Sequence, residues 1–299
     1  MSVFVAGALH LDVVVETPHL PRLDETATGT AVSYQCGGKG GNQAMAAARM
    51  GAQVAMAGRV GSDGFGATLL AGLQAAGVDV SHVVQDAGAS GMSVALLQPD
   101  GGYGAVIVSA ANLRIDPHAL RIPIGTSVLL LQNEIPAAVN LAAATKARWS
   151  GAKVILNAAP ARALDPALLA LVDVLVVNRI EAADMLGLPD LRLDAPKAAA
   201  RLQALGPACV IITLGGDGLI LADRRISHHP GHNVPVISTH GAGDAFLGAL
   251  AARLDAGDSL GQATAFGQAA AALHVSTPVD QRGEISPAQV ATLYRGVGA

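Results

Sequence analysis

Aromatic residues are scarce in this chain of 299 residues: they make up 3% of it, with a single tryptophan. Proteins that hold single-stranded nucleic acid stack bases on such rings, so that platform is poorly supplied. Basic charge is lacking as well. Lys and Arg number 19 against 23 Asp and Glu, a net charge of −4, whereas a nucleic-acid footprint needs a cationic excess. Two cysteines, Cys36 and Cys209, are too few and too far apart for a disulfide framework or a zinc site, and free thiols in a reducing compartment are expected. No apolar run approaches the roughly 20 residues that span a bilayer. The stretch MSVFVAGALHLDVVVE lacks a basic segment and meets Asp12 and Glu16 early, unlike a secretory signal. A soluble, cytoplasmic protein is the expectation. What the chain has in plenty is apolar surface, 51% of residues, enough for a sizeable core.

Short β-branched runs alternate with Ala/Leu-rich helical stretches. Strands are expected at 3–7, 54–59, 128–132, 153–157, 174–177 and 209–213, with helices at about 42–50, 63–76, 137–149, 165–171, 180–187 and 196–205. The strand runs are almost wholly apolar, as when helices cover both faces of a sheet, so the fold class is α/β with a doubly wound, mostly parallel sheet. Residues 218–222 add a late strand in a hairpin with 209–213. Two stretches break the rhythm. Residues 11–36 hold two extended segments, and 92–109 read as two alternating runs around a PDGG turn. These predict a small antiparallel sheet inserted at about 11–36 and 90–109 into one α/β domain over 1–299, placed as a lid that excludes water.

Residues 238–254, STHGAGDAFLGALAARL, carry the sharpest local signal. Gly241 and Gly243 permit a tight turn and close approach of a ligand. Phe246, Leu250 and Leu254 then recur at helical spacing, so the first N–H groups of a helix face the glycines and favour an anion. Asp244 in such a place is either an N-cap or a general base beside a bound phosphoryl group; at a helix start it is expected to be ionised.

GGKGGNQA, residues 37–44, leads into a helix over Asn42–Met50. It is not a P-loop, because Gly40 rather than Ser or Thr follows Lys39. It also lacks the dinucleotide fingerprint, as do GSDGFG (61–66) and TLGGDG (213–218), which leaves a dehydrogenase without support. Bare backbone, Lys39 and the amides of Asn42 and Gln43 suit a polyhydroxylated ligand. Asp12, flanked by apolar residues, is costly to desolvate unless it is paired or ligand-bound, and it suits a pair of sugar hydroxyls. Glu134, Asn157 and Asn178 fall at C-terminal ends of expected strands, the ligand edge of open α/β sheets. Glu181 is a helix N-terminal charge or a partner of hydrated Mg²⁺. The HHPGH tract (228–232) has no Cys or carboxylate close by and is a weak metal candidate.

Taken in this order, Asp12, LDETATG (23–29), GGKGGNQA, LLLQNEIP, LNAAPA, VNRIEA, TLGGDG and GAGD resemble the ribokinase, or PfkB-type, family of carbohydrate kinases along the whole chain. The resemblance implies transfer of a phosphoryl group from ATP, with Mg²⁺, to a sugar CH₂OH. Carried over, Asp244 is the base and Gly241, Ala242 and Gly243 hold the migrating phosphoryl. His10, Asp12, Gly38, Lys39, Gly40, Asn42 and Glu134 face the sugar. Asn178, Thr213, Gly215, Gly216, Gly218, Gly243 and Gln268 serve the nucleotide, and Glu181 meets Mg²⁺ through water. A homodimer through the lid is implied too. Two departures stand out. Ser238 replaces the Asp with which relatives help hold a monovalent cation near His240, and 276–286 matches poorly, so weak K⁺ dependence is expected. His10 replaces an Asn facing the sugar, which leaves another pentose, a hexose or a nucleoside open as acceptor. A sugar- or nucleotide-binding protein without catalysis is the alternative of a different class, disfavoured by the retained Asp244, both glycines and Glu181.

Overall fold

The computed structural model describes residues 2–99, 102–189 and 193–295. Its main sheet has nine strands: β1 (Ser2–Ala6), β4 (Val54–Gly61), β5 (Val78–Asp86), β8 (Thr126–Gln132), β9 (Lys153–Asn157), β10 (Val174–Asn178), β11 (Cys209–Thr213), β12 (Leu219–Ala222) and β13 (Ile226–His229). The smaller sheet takes the numbers between: β2 (His10–Glu16), β3 (Ala31–Gly37), β6 (Gly91–Leu97) and β7 (Tyr103–Val108). The order in the main sheet is β13-β12-β11-β10-β9-β8-β1-β4-β5, and only β12 runs against the rest, pairing antiparallel with both β11 and β13. Strand order reverses at β1, with β8 on one side and β4 on the other. Ligands bind at such a switch point, outside the C-terminal strand ends.

Nine helices among the described residues cover the sheet: α1 (Lys39–Arg49), α2 (Gly64–Ala75), α3 (Ala137–Ser150), α4 (Pro166–Leu169), α5 (Arg179–Leu186), α6 (Ala195–Gln203), α7 (Ala242–Asp255), α8 (Leu260–Ser276) and α9 (Pro287–Arg295). One core packs Leu129, Leu131, Leu156 and Val177 beneath α3 to α6. The other packs Val5, Leu130, Ile155 and Ile211 beneath α1, α2 and α7. Alternate residues of β8, β9 and β11 thus enter opposite cores, which is why their sequences are apolar throughout. Phe246, Leu250 and Leu254 are the buried stripe of α7. Where α7 crosses α1, a Cβ at Gly248 would lie 2.6 Å from the backbone nitrogen of Ala47, so only glycine permits the approach.

The expected strands and helices recur within a few residues. Helix α1 differs most: it starts at Lys39 rather than Asn42, so Lys39, Gly40 and Gly41 form its first turn. The late strand pairs antiparallel with β11 as expected. The lid strands are in place, and β2 with β3 and β6 with β7 run antiparallel. The central pair, β2 with β6, is parallel. Such a pairing needs a crossover connection, here β3, α1, β4, α2 and β5. Asp100 and Gly101 of the PDGG turn lie outside the described residues. Strand β5 was not expected, because Asp79, Ser81 and His82 interrupt its apolar positions; it is an edge strand and half exposed.

Candidate active site

The ends of β8 to β11, the first turn of α1 and the first turn of α7 converge on Asp244. Gly241 caps α7 with φ +76°, a left-handed conformation that glycine adopts without cost. Asp244 is the third helical residue and accepts no capping bond; it is buried, at 8% exposure. Asn42 Nδ2 donates to its Oδ2 at 3.3 Å and Gln43 Nε2 to its Oδ1 at 2.9 Å. The N-cap alternative fails. Burial pushes the Asp244 carboxyl above the usual carboxylate range, against the pull of Lys39, Gln43 and Asn42. The helix terminus and these partners favour the ionised form, and burial opposes it.

The amides behind Asp244 form a chain that the sequence did not reveal. Gln43 Nε2 also reaches Asn157 Oδ1 at 3.2 Å, and Gln132 Nε2 donates to Gln43 Oε1 at 2.8 Å. Asn140 Nδ2 in turn donates to the Gln132 carbonyl at 2.8 Å. Gln43 and Gln132 are fully buried, so the amide that faces Asp244 cannot turn without orphaning a partner.

Three cavities adjoin the start of α7. The first, about 620 Å³, lies under the lid and is lined by Asp12, Asn42, Ser93, His240, Gly241 and Asp244 among others. Ser93 donates to Asp12 Oδ1 from the neighbouring lid strand. The second, about 220 Å³, contains Lys39, Asn157, Asn178, Glu181 and the run Gly241 to Asp244. The third, about 450 Å³, has Thr213, Gly215, Gly216, Gly218 and Gln268 on one side and Leu219, Val236, Phe246 and Val275 as an apolar wall. Thr213, Ala242 and Gly243 line both the second and the third. The glycine cradle therefore stands at the junction, and Asp244 separates the cavity under the lid from the second one.

Individual residues fall as follows. Lys39, expected at the sugar, lines the second cavity on the side of Asn178 and Glu181; its backbone N–H donates to Glu134 Oε2 at 2.7 Å. His10, Gly38, Gly40 and Glu134 do not line the lid cavity, and a Cβ at either Gly38 or Gly40 would meet the backbone of Ala8 at 2.7 Å. His10 Nδ1 lies 3.9 Å from Glu134 Oε2, burial lowers the His10 pKa and raises that of Glu134, and the pair is not a strong ion pair. Asn178 and Glu181 form a reciprocal capping box with both bonds at 2.8 Å, and burial raises the Glu181 pKa. Glu181 Oε1 keeps no partner among the described residues. A single carboxylate oxygen beside Asn178 fits a hydrated Mg²⁺, which keeps most of its water, and not an all-protein cage. Gln268 Nε2 donates to Pro230 O at 2.8 Å. Within the His tract, His228 bonds Asp217 O and His229 bonds Ser227 Oγ, while His232 lines the third cavity. The Ser238 and His240 carbonyls accept from Arg282 at 2.8 and 2.9 Å, so these residues do not fit a monovalent cation. Sequence reasoning missed Arg282, Gln132 and Ser93.

An anion cradle at a helix start, an apolar-walled cleft and a buried carboxylate facing a lidded polar cavity define a phosphotransferase that acts on an alcohol. The chain belongs to the pfkB family of carbohydrate kinases, whose model matches residues 2–286. It is 35% identical to the ribokinase of Haemophilus influenzae over 91% of each chain, and 31% identical to the deoxyribokinase of Salmonella typhi over 84% of this chain and 85% of that one. Its fold matches Arabidopsis thaliana ribokinase complexed with ribose and ATP, with a TM-score of 0.88, 28% identity and 98% of each chain covered.

Proposed function

We propose that the protein transfers the terminal phosphoryl group of ATP to the primary CH₂OH of a pentose, ribose in the first place. The observation that carries this reading is the position of Asp244, buried and shared by the lidded cavity and the phosphate-side cavity. The acceptor lies under the lid against Asp12 and Asn42, with its hydroxyl toward Asp244, which takes the proton as the new O–P bond forms. Charge on the phosphoryl oxygens meets the N–H groups of Gly241 to Gly243 and the Lys39 ammonium; such transfer rests on positioning and electrostatics. Thr213 to Gly218 and the apolar wall hold the nucleotide. Glu181 and Asn178 are the residues that would hold Mg²⁺ through water, where it neutralises phosphate charge. The free thiols Cys36 and Cys209 suit the reducing cytoplasm.

The test is ADP release over a panel of ribose, 2-deoxyribose, other pentoses, ketohexoses and nucleosides. Ribose should give the highest kcat/KM; a higher value for 2-deoxyribose or a nucleoside would displace it as acceptor. No turnover with any of them would favour a binding protein.

We infer in addition that two copies pair through the lid. Its outward face sets Tyr34, Val13, Val94 and Val106 in one row across four strands. Tyr34 and Val106 are 60% and 67% exposed, an apolar surface that an isolated chain leaves uncovered.

A further inference from the structure

The turn that feeds the cradle is held by a buried guanidinium. Arg282, 7% exposed, follows α8 and spends its three nitrogens on main-chain carbonyls: Nη2 on Ser238 at 2.8 Å, Nη1 on His240 at 2.9 Å and Nε on Thr277 at 3.2 Å. It forms no ion pair among the described residues, and burial is what lowers its pKa. A buried charge without a counter-ion costs several kcal/mol, so its neutralisation by dipoles alone calls for an explanation. Thr277 closes α8, and its carbonyl belongs to the negative end of that helix. Three main-chain oxygens thus surround the guanidinium, and Arg49 lines the same cavity.

One of those dipoles leads into the site. The His240 carbonyl and the Gly241 N–H belong to one peptide unit, and Gly241 opens the cradle. His274 Nε2 also bonds this carbonyl at 2.9 Å, so both of its lone pairs are taken. Donors on a carbonyl polarise the N–H of the same peptide and make it a stronger donor in turn. The turn is docked on α8 by its backbone too, through Ile237 N to Val275 O at 2.8 Å.

We propose that Arg282 is a positioning residue of the cradle: it supplies, from within the chain, the positive charge that fixes the 238–241 turn and polarises the Gly241 N–H, and a free monovalent cation is not needed there. This goes beyond membership of the family and rests on the phosphotransferase reading.

Wild type and the variants Arg282→Met, Arg282→Gln and Arg282→Lys would be assayed with ATP, Mg²⁺ and ribose in K⁺, Na⁺ and tetramethylammonium chloride at equal ionic strength. Wild-type rates should agree within about three-fold across the cations, since no ion has to shed water at the site. Arg282→Met should lose about 10- to 100-fold in kcat with little change in acceptor KM, somewhat less than removal of a cradle donor itself. Guanidinium ion or K⁺ should restore part of that loss and leave wild type unchanged. Arg282→Lys, which keeps the charge, should outperform Arg282→Gln, which keeps hydrogen bonds only; this comparison decides if the Met variant fails to fold. Binding of a non-hydrolysable ATP analogue by calorimetry should weaken in Arg282→Met whichever acceptor the enzyme uses. A tenfold requirement of wild type for K⁺, a Lys variant no better than Gln, or a Met variant with wild-type kcat and analogue affinity would overturn the proposal. Absence of ribose turnover with the analogue trend intact would sink the acceptor reading and leave this one standing.

Discussion

Gln43 donates from Nε2 to Asp244 Oδ1 at 2.9 Å, although 201 residues separate the two along the chain. The bond joins α1 to α7 and aims the carboxylate with an amide whose own oxygen is held by Gln132. The carboxylate is thus oriented from behind.

Asp244→Asn should lower kcat by about 10²- to 10⁴-fold, the usual worth of a positioned base, with acceptor binding nearly intact. It should also raise Tm at neutral pH. Burial raises the folded-state pKa of Asp244, so the native protein binds that proton more tightly than the unfolded chain does. Stability therefore falls as pH rises from the ordinary carboxylate pKa to the raised one, and the cost is in full force above it. The gain in Tm should vanish toward acid pH, and wild-type kcat/KM should fall as pH drops through the raised value. Calorimetric scans against pH check the first statement and initial rates the second. An Asn variant with near wild-type kcat would reduce Asp244 to a structural group.

Asp12→Ala should raise the acceptor KM at least about ten-fold, because the hydroxyls it meets lose a charged acceptor worth about 1.5–3 kcal/mol. The ATP KM should stay within about two-fold, since Asp12 lines the lid cavity and neither of the others. Separate KM measurements check it; a loss confined to ATP would mean that the two substrates had been assigned to the wrong cavities.

His10→Asn should change the ratio of kcat/KM between ribose and 2-deoxyribose. His10 shares a face of β2 with Asp12, is 3% exposed and has no partner for Nε2 among the described residues. An unchanged ratio would assign the imidazole to packing against Glu134.

Val106→Glu should convert a dimer to monomers in sedimentation equilibrium without loss of thermal stability, as this residue is two-thirds exposed on β7. A wild type that sediments as a monomer would end the lid-to-lid reading.

Much of the site could be read from the chain because parallel strands deliver residues at their ends. Gln132, Asn157, Asn178 and Thr213 each close an apolar run, and the fold turns that position into an address at the ligand edge. Arg282 could not be found that way. It stands in an aperiodic segment, and its partners are carbonyls, which every residue possesses. The direction of the β2–β6 pairing was hidden for a similar reason: alternation identifies a strand but not its neighbour's polarity. Helix α8 did leave a mark in the capping box of Ser259 and Gln262, but its Ala- and Gly-rich body offers a faint stripe.

The crossing of α1 and α7 at Gly248 has a mechanical consequence. Only the Ala46 methyl and the α1 backbone face Gly248, with no long side chain to compress or rotate between them, so the separation of Gln43 from Asp244 is set by a close helix contact about one turn away. That end of the molecule is in effect a strut. Gly248→Ala would therefore act as a spacer, wedging the strut open and slowing turnover from a position that touches neither substrate.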